Sequence, residues 1–199
     1  MTRTLLELTW PRRTDRLALR PAEAADAARI WPWYGRPEVQ EWTTTLPEDL
    51  PALEAWWTDP DRLGSTLVAL RGEEIVGTGM IKVGDAWSQA DMVERARGTV
   101  AELGWTLDPG HQGEGLGTEL AAALLQIAVE DLGLRRVTAE CFADNVASRR
   151  VMEKIGMRQE AHSRQDSLHR SGQWLDGASY AVLAEEYWEQ RTGGGRMAP

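Results

Sequence analysis

Hydrophobic and polar positions alternate along the chain with two different periods. Short apolar or alternating runs bounded by glycine and proline are typical of strands, whereas apolar residues three to four positions apart are typical of helices. Strands are predicted over residues 16–20, 65–70, 74–81, 100–107, 137–142, 159–162 and 178–183, and helices over 22–33, 37–42, 116–132 and 147–155, with a further helix from Pro47. This alternation predicts a single α/β domain with a sheet of six or seven strands.

The two ends of the chain and two polar stretches fall outside these elements. Residues 1–13 are predicted to form an N-terminal arm, residues 14–190 the domain, and residues 191–199 a disordered, glycine-containing tail. The stretches 84–98 and 165–177 show no clear period and are predicted to be loops.

A glycine-rich corner joins the strand over 100–107 to the long helix that begins at Leu116. Its residues are Gln112, Gly113, Glu114, Gly115, Leu116, Gly117 and Thr118. A helix N-terminus carries backbone N–H groups without intrahelical partners and a partial positive charge, so it stabilises a bound anion. The spacing lacks the Gly-Lys-Ser/Thr ending of a P-loop and the G-x-G-x-x-G order of a dinucleotide-binding fold. The corner is therefore predicted to bind an anion, with tight packing as the alternative reason for its glycines.

Two motifs carry a family resemblance. Gln112, Gly115 and Gly117 match Q-x-x-G-x-G, and Asn145 with Ser148 match N-x-x-S, followed by the segment 151–157 with the sequence V-M-E-K-I-G-M. This combination resembles the GCN5-related N-acetyltransferases of the RimJ/RimL-type branch, in order and spacing, from about residue 14 to residue 188. The resemblance implies a mixed, twisted sheet of six or seven strands with helices on both faces, and a splay between the fourth and fifth strands.

The same resemblance implies acetyl-CoA as co-substrate and assigns residues to it. The pyrophosphate would lie on the loop from Gln112 to Thr118, and the pantetheine arm would bind the backbone of Trp105, Thr106 and Leu107. Asn145 is expected to contact the arm, although asparagine is also a common helix N-cap. The loop departs from its relatives at Glu114, where they commonly place a basic residue, and a like charge there weakens anion binding.

The resemblance also suggests how an amine would attack the thioester. Glu102 is the expected general base, often acting through water, and Ser148 is the expected proton donor to the leaving thiolate. Glu160 and Asp176 compete with Glu102 for the base role or line the acceptor pocket. A structural alternative stays open for Glu102, as an acid at the surface or on an edge strand.

Tryptophans are concentrated in the first third of the chain, and the acceptor site is expected near them. Trp33 and Trp42 are predicted either to pack in the core or to form an aromatic wall for the acceptor. Trp87, in the polar stretch 84–98, either reaches the acceptor or anchors a surface loop. Nothing in the sequence chooses among a protein N-terminus, an amino acid and another small amine.

Composition and charge exclude several other functions. The formal net charge of −9 argues against nucleic acid as a substrate, because phosphate binding requires a basic surface. No apolar run is long enough to span a bilayer, and a cytoplasmic location is expected. The single Cys141 is predicted to be a core residue, and no group of His, Cys and Asp has the spacing of metal ligands.

The sequence therefore predicts an N-acetyltransferase that acts on a primary amine, as a monomer or a homodimer. An acyltransferase that uses a larger acyl-CoA stays open, as does a protein that binds acyl-CoA as a sensor or interaction module without turnover.

Overall fold

One mixed sheet organises residues 4–193, the part of the chain that the computed structural model describes. Within these residues eight strands lie in the order β1-β2-β3-β4-β5-β6-β8-β7. The strands are β1 (Arg12–Arg13), β2 (Ala18–Pro21), β3 (Thr66–Arg71), β4 (Glu74–Gly84), β5 (Val100–Leu107), β6 (Arg136–Phe142), β7 (Arg158–Leu168) and β8 (Trp174–Leu183). All neighbours are antiparallel except β5 and β6, which are parallel. The predicted α/β class is confirmed, with one strand more than the upper expectation.

The described residues also form eight α-helices, of which the first seven lie between strands and the last follows β8. They are α1 (Asp26–Tyr34), α2 (Pro37–Gln40), α3 (Leu50–Trp57), α4 (Pro60–Ser65), α5 (Val93–Ala96), α6 (Leu116–Gln126), α7 (Val146–Lys154) and α8 (Ala184–Gly193). The long helix predicted over 116–132 is α6 followed by one π-helical turn, Ile127–Asp131.

The alternation of side chains in β3 separates two hydrophobic cores. Leu67 and Ala69 pack in a cluster that includes helix α6, whereas Val68 and Leu70 pack with α1 and α3. Because successive side chains of a strand point to opposite faces, α6 covers one face of the sheet and α1 with α3 cover the other. Helices on both faces are therefore confirmed.

The parallel pair β5 and β6 is joined for only part of its length. Their register covers Val100 with Arg136, Ala101 with Val137 and Glu102 with Thr138, and ends there. Strand β5 remains paired with β4, and β6 with β8, along their whole lengths. The sheet therefore splays where the family resemblance implied, between the strands predicted as the fourth and fifth, which are β5 and β6 here because β1 adds a strand.

The N-terminal segment is more firmly held than the predicted arm. Leu5 and Leu8 are buried in the core that contains α6. The indole Nε1 of Trp10 donates to the carbonyl of Leu5 at 2.9 Å, and Arg12 pairs with Leu19 across β1 and β2. The prediction of an arm over residues 1–13 is wrong for residues 4–13, because their apolar side chains have a core to cover.

Two further boundaries differ from the sequence prediction. The stretch 165–177, predicted as a loop, lies largely in a hairpin formed by β7 and β8. Its strands escaped detection because β7 is an edge strand with mostly exposed polar side chains and two register shifts. Helix α8 continues to Gly193, so residues 191–193 are helical, while the rest of the predicted tail lies outside the described residues.

No helix within the described residues has the length and apolar character needed to cross a membrane.

The close packing of β4 under α6 gives a test of the fold. An ideal Cβ at Gly79 would lie 2.7 Å from Cδ2 of Leu124, a fully buried side chain. We expect Gly79→Ala to lower the free energy of unfolding by about 1–3 kcal/mol through overpacking. Gly64 in α4 is the matched control, since nothing lies within 4 Å of its ideal Cβ. Gly64→Ala should be neutral or stabilise by up to about 1 kcal/mol. Equal urea midpoints for Gly79→Ala and the wild type would contradict this packing.

Candidate active site

The splayed strands present unpaired backbone groups to the opening between them. The N–H of Asp108 donates to the carbonyl of Val76 on β4 at 2.9 Å. In an antiparallel ladder every second residue bonds to the same neighbour, so Thr106 also bonds to β4. Consistently, an ideal Cβ on Gly77 of β4 would lie 2.9 Å from the carbonyl oxygen of Thr106.

The alternate residues of β5 point their backbone groups toward β6. These are Trp105 and Leu107, which lie beyond the last β5–β6 pair at Glu102. Their N–H groups are available to an extended ligand lying in the opening, as the strands of a sheet bond to an added strand. Of the three residues proposed from the sequence for the pantetheine arm, Trp105 and Leu107 have this orientation. The backbone of Thr106 is occupied by β4.

The glycine-rich loop forms a preorganised cradle at the same end of β5. The side chain of Asp108 accepts from the N–H of Gly110 at 2.9 Å and shapes the turn that leads to Gln112. Gly113 and Gly115 have backbone φ values of +81° and +82°, which residues other than glycine rarely adopt. Helix α6 begins at Leu116, directly after this turn.

The first turn of α6 has backbone N–H groups without acceptors in the helix. The N–H of Glu119 donates to the carbonyl of Gly115 at 3.1 Å and begins the helical ladder. The N–H groups of Leu116, Gly117 and Thr118 precede it and, as at any helix start, lack intrahelical acceptors. An ideal Cβ on Gly117 would meet nothing within 4 Å, so the space beside Gly117 in this first turn is open. Donors, dipole and open space together fit a pyrophosphate group.

Two arginines hold the loop from the side. Arg16 donates to the carbonyl of Glu114 at 2.8 Å and to the carboxylate of Glu119 at 2.7 Å. Burial alone would raise the pKa of Glu119, but hydrogen bonds from Thr14 and Arg16 outweigh it and hold the pKa below its usual value. Arg71 donates to the carboxylate of Glu114 at 2.9 Å. The loop is thus fastened without using the N–H groups that face outward.

A second contact ties the loop to the β3–β4 hairpin. His111 Nε2 lies 3.4 Å from Glu74 Oε2, and these two side chains with Asp108 place ligand atoms within 4.8 Å of one another. The Glu74 side chain is 63% exposed, and Asp108 already caps the turn through Gly110. These contacts account for the cluster as a structural connection between the hairpin and the loop.

The two proposed catalytic residues, Glu102 and Ser148, belong to opposite faces of the sheet. Ala101 and Leu103 are buried in the core under α6, so Glu102 between them points to the other face, where it is exposed. Ser148 lies on α7, whose Met152 belongs to the α6 core. A group lying between β5 and β6 would therefore have the face that carries Glu102 on one side and the face covered by α7 on the other.

Ser148 is close to the one cysteine of the chain. Burial raises the pKa of the Cys141 thiol, and the charge of Arg149 and a hydrogen bond with Ser148 oppose this rise in part. Cys141 packs against the α6 core. Its surroundings favour the protonated thiol of a structural cysteine.

Asn145 begins α7 as its N-cap. Its Oδ1 accepts from the N–H of Ser148 at 3.0 Å, which satisfies one of the free donors of the first turn. The capping role left open by the sequence is therefore present. The hydrogen bond to Asn145 also holds the backbone of Ser148 in the first turn of the helix.

Glu160 and Asp176 are both engaged in other interactions. Hydrogen bonds from Arg136 and from Arg158 hold the pKa of Glu160 below its ordinary value. The backbone N–H of Gln165 and the ring of His162 do the same for Asp176, with His162 Nε2 at 2.8 Å. Carboxylates stabilised in the ionised form are weak bases, so their surroundings favour structural roles.

The three tryptophans considered for the acceptor site have different environments. Trp33 is only 4% exposed and packs 5.8 Å from the ring of Tyr34, which favours its core role. Trp87 is 93% exposed. Trp42 forms an aromatic cluster with Phe142 and His169, at centroid distances of 5.9 and 5.4 Å. Because Phe142 ends β6, this cluster lies at the mouth of the opening.

The aromatic cluster is held by the tip of the β7–β8 hairpin. His169 Nε2 bonds to the carbonyl of Glu41 at 2.9 Å, and Arg170 donates to the carbonyl of Thr43 at 2.5 Å. Sequence reasoning missed Phe142 and His169, because the hairpin that brings them to Trp42 was predicted as a loop. No local signal in the chain indicates a contact between residues so far apart in sequence.

Comparisons with known proteins agree with this geometry. A family model described as the acetyltransferase (GNAT) domain matches residues 16–158. An uncharacterized N-acetyltransferase, YnaD of Bacillus subtilis, is 37% identical over 86 residues, which are 43% of this chain and 50% of that protein. The chain thus spans about half the length of this curated relative.

Solved structures share the fold. The GNAT-family acetyltransferase of Bacillus anthracis superimposes with a TM-score of 0.72 at 23% identity, over 87% of this chain and 98% of the other. The structure of yncA from Salmonella typhimurium, with its cofactor acetyl-CoA, has a TM-score of 0.63 at 26% identity, over 85% of this chain and 95% of the other.

The cradle gives a direct binding test at Gly117. We expect Gly117→Asp to weaken coenzyme A binding at least about tenfold, because a carboxylate would enter the open space before the helix N-terminus and repel the phosphates. The fold should survive, since an acidic residue in a first helical turn is favourable. Gly117→Ala is the control and should bind within about threefold of wild type. Calorimetry that finds equal affinities for the aspartate variant and wild type would contradict the cradle.

Proposed function

Because the chain belongs to the GNAT acetyltransferase family, we propose that it transfers the acetyl group of acetyl-CoA to a primary amine. One observation carries the proposal: the opening between β5 and β6 leads directly to the donors of the glycine-rich loop. This combination suits a ligand with an extended, amide-containing arm and a pyrophosphate. Acetyl-CoA has both parts.

The finer assignment to the RimJ/RimL-type branch rests on the motif around Asn145 and Ser148. The proposed acceptor is a protein N-terminus, an amino acid or another small amine. The enzyme itself is proposed to be cytoplasmic and to be a monomer or a homodimer. A cationic acceptor suits the net charge of −9. The aromatic cluster of Trp42, Phe142 and His169 is the proposed wall of the acceptor site, with Trp33 and Trp87 less suited by their environments.

The proposed reaction is direct aminolysis of the thioester. The amine nitrogen forms a bond to the acetyl carbon while the carbon–sulfur bond breaks, and the amine loses one proton and the thiolate gains one. Glu102, directly or through water, takes the proton on its face of the sheet, and Ser148 supplies one to the sulfur from the other face. Holding both reactants in the opening makes the attack effectively unimolecular.

A different class of function would be the binding of acyl-CoA without turnover, as a sensor or an interaction module. Such a protein needs the cradle and the opening but neither an acid nor a base beside the thioester. The placement of Glu102 and Ser148 on opposite faces of the sheet supports the enzyme. A larger acyl group is a variant of the same proposal, to be tested with a series of acyl-CoA donors.

The test is the release of free thiol from acetyl-CoA in the presence of amines, amino acids and peptides with free N-termini. The proposal predicts acceptor-dependent thiol release and an acceptor mass increased by one acetyl group. Tight coenzyme binding with no acceptor-dependent release across the panel would favour the sensor.

Removal of the proposed base should leave a pH signature. A primary amine with a pKa near 10 is mostly protonated at neutral pH, so base assistance matters most at low pH. We expect Glu102→Gln to lower kcat/KM about 10²- to 10⁴-fold near pH 7 and to recover in part as the pH rises. Glu94→Gln, at an exposed acid paired with Arg97, is the control. A pH profile parallel to that of the wild type would remove Glu102 from the mechanism.

Removal of the proposed acid should act on turnover alone. Charge develops on the sulfur only as the thioester breaks, so Ser148→Ala should lower kcat with little change in coenzyme affinity. The expected loss in kcat is about 10²-fold, as for the removal of a general acid. Steady-state kinetics with parallel calorimetry would separate the two quantities. An unchanged kcat would show that the thiolate leaves without help from Ser148.

A further inference from the structure

The middle of the glycine-rich loop carries a charge of the wrong sign for its proposed ligand. Glu114 lies between Gly113 and Gly115 and its side chain is 45% exposed. A pyrophosphate at the start of α6 would lie close to this carboxylate. The carboxylate by itself would oppose binding.

An arginine from a neighbouring hairpin compensates for this acid. Arg71 ends β3, and its NH1 donates to Glu114 Oε2 at 2.9 Å. The backbone of Arg71 is fixed by its pairing with Glu74, whose side chain contacts His111 in the turn that leads to the loop. The tip of the β3–β4 hairpin therefore packs against the glycine-rich loop and places the guanidinium of Arg71 beside it.

Of the two arginines at the loop, Arg71 has more donors left for an anion than Arg16. The guanidinium of Arg16 is committed to Glu119 and to the carbonyl of Glu114. Within residues 4–193 the hydrogen bonds of the Arg71 guanidinium go to Glu114 alone, through NH1. A guanidinium has five N–H donors, so Arg71 can keep Glu114 and still face an anion with its other edge.

We propose that Arg71 is a pyrophosphate-binding residue and that Glu114 positions it. The loop itself has no basic residue at position 114. Instead, Glu114 holds Arg71, a basic residue at the end of β3, beside the loop. Neutralised by Arg71, Glu114 no longer opposes the anion, and the guanidinium adds charge-assisted hydrogen bonds to the backbone donors of α6. The inference rests on the proposed function, since it concerns how acetyl-CoA is held.

Calorimetry with coenzyme A tests the role of Arg71 directly. We expect Arg71→Ala to weaken binding about tenfold or more, as for the loss of a charge-assisted hydrogen bond. Arg97→Ala is the matched control, because Arg97 pairs with Glu94 at the same 2.9 Å. It changes the net charge equally but lies before β5, roughly 25 Å from the loop along the strand. The control should bind within about twofold of wild type.

The positioning role of Glu114 requires a double-mutant cycle. In the wild-type background Arg71→Ala removes an oriented cation and uncovers a repelling acid, whereas in the Glu114→Gln background it removes only an unanchored cation. The penalty for Arg71→Ala should therefore be at least about threefold larger in the wild-type background. Equal penalties in both backgrounds would overturn the role of Glu114.

A second ligand and two possible results with coenzyme A separate the failure of this inference from the failure of the proposed function. With 3′-dephospho-coenzyme A the penalty for Arg71→Ala should be unchanged, and its disappearance would overturn the pyrophosphate assignment. Wild-type protein that binds coenzyme A while Arg71→Ala binds within about twofold would overturn this inference alone. Wild-type protein that binds no coenzyme A would overturn the proposed function and this inference together. The exposed ion pair between Arg71 and Glu114 contributes little to stability, so Arg71→Ala should unfold near the wild-type midpoint.

Discussion

The early end of the hydrogen bonding between β5 and β6 is the constraint on which the candidate site depends. Each strand is fixed by its other neighbour, β5 by β4 and β6 by β8, so the two cannot close on each other beyond Glu102. Backbone groups of Trp105 and Leu107 are left facing the opening. Backbone polar groups need partners, which makes the opening a site for an extended polar ligand.

The loop at the end of the opening is organised before any ligand binds. Its backbone turns through two glycines with positive φ, and Arg16, Arg71 and Asp108 hold it from outside. A cradle built in this way loses little entropy on binding, because its donors already have their final directions. The opening and the cradle thus both depend on β5, because the opening lies along this strand and the glycine-rich loop follows its end.

The sequence predicted the parts of the fold where pattern and local chemistry agree. Residues 100–107 were correctly predicted as a strand, because they form an apolar run bounded by the turn at Asp108. The N-terminal segment and the second half of β7 were not predicted correctly. Leu5 becomes a core residue only through distant contacts, and β7 carries the polar side chains of an edge strand.

The same distinction holds for the candidate site. The glycine corner and the Asn145 cap are local features and could be read from residue order. The cluster of Trp42, Phe142 and His169 could not, because it joins three elements distant in sequence. Residue order also could not tell that Glu160 and Asp176 are held by other side chains, or that Arg71 neutralises Glu114.

Residue-resolved amide hydrogen exchange along β5, with and without acetyl-CoA, tests the central claim most directly. The account predicts that the N–H groups of Trp105 and Leu107 exchange rapidly in the free protein and slow at least about tenfold at saturating acetyl-CoA. Thr106, bonded to β4, should be protected in both states. Unchanged exchange at Trp105 and Leu107 in a saturated complex would contradict the account, because the ligand would then lie outside the opening.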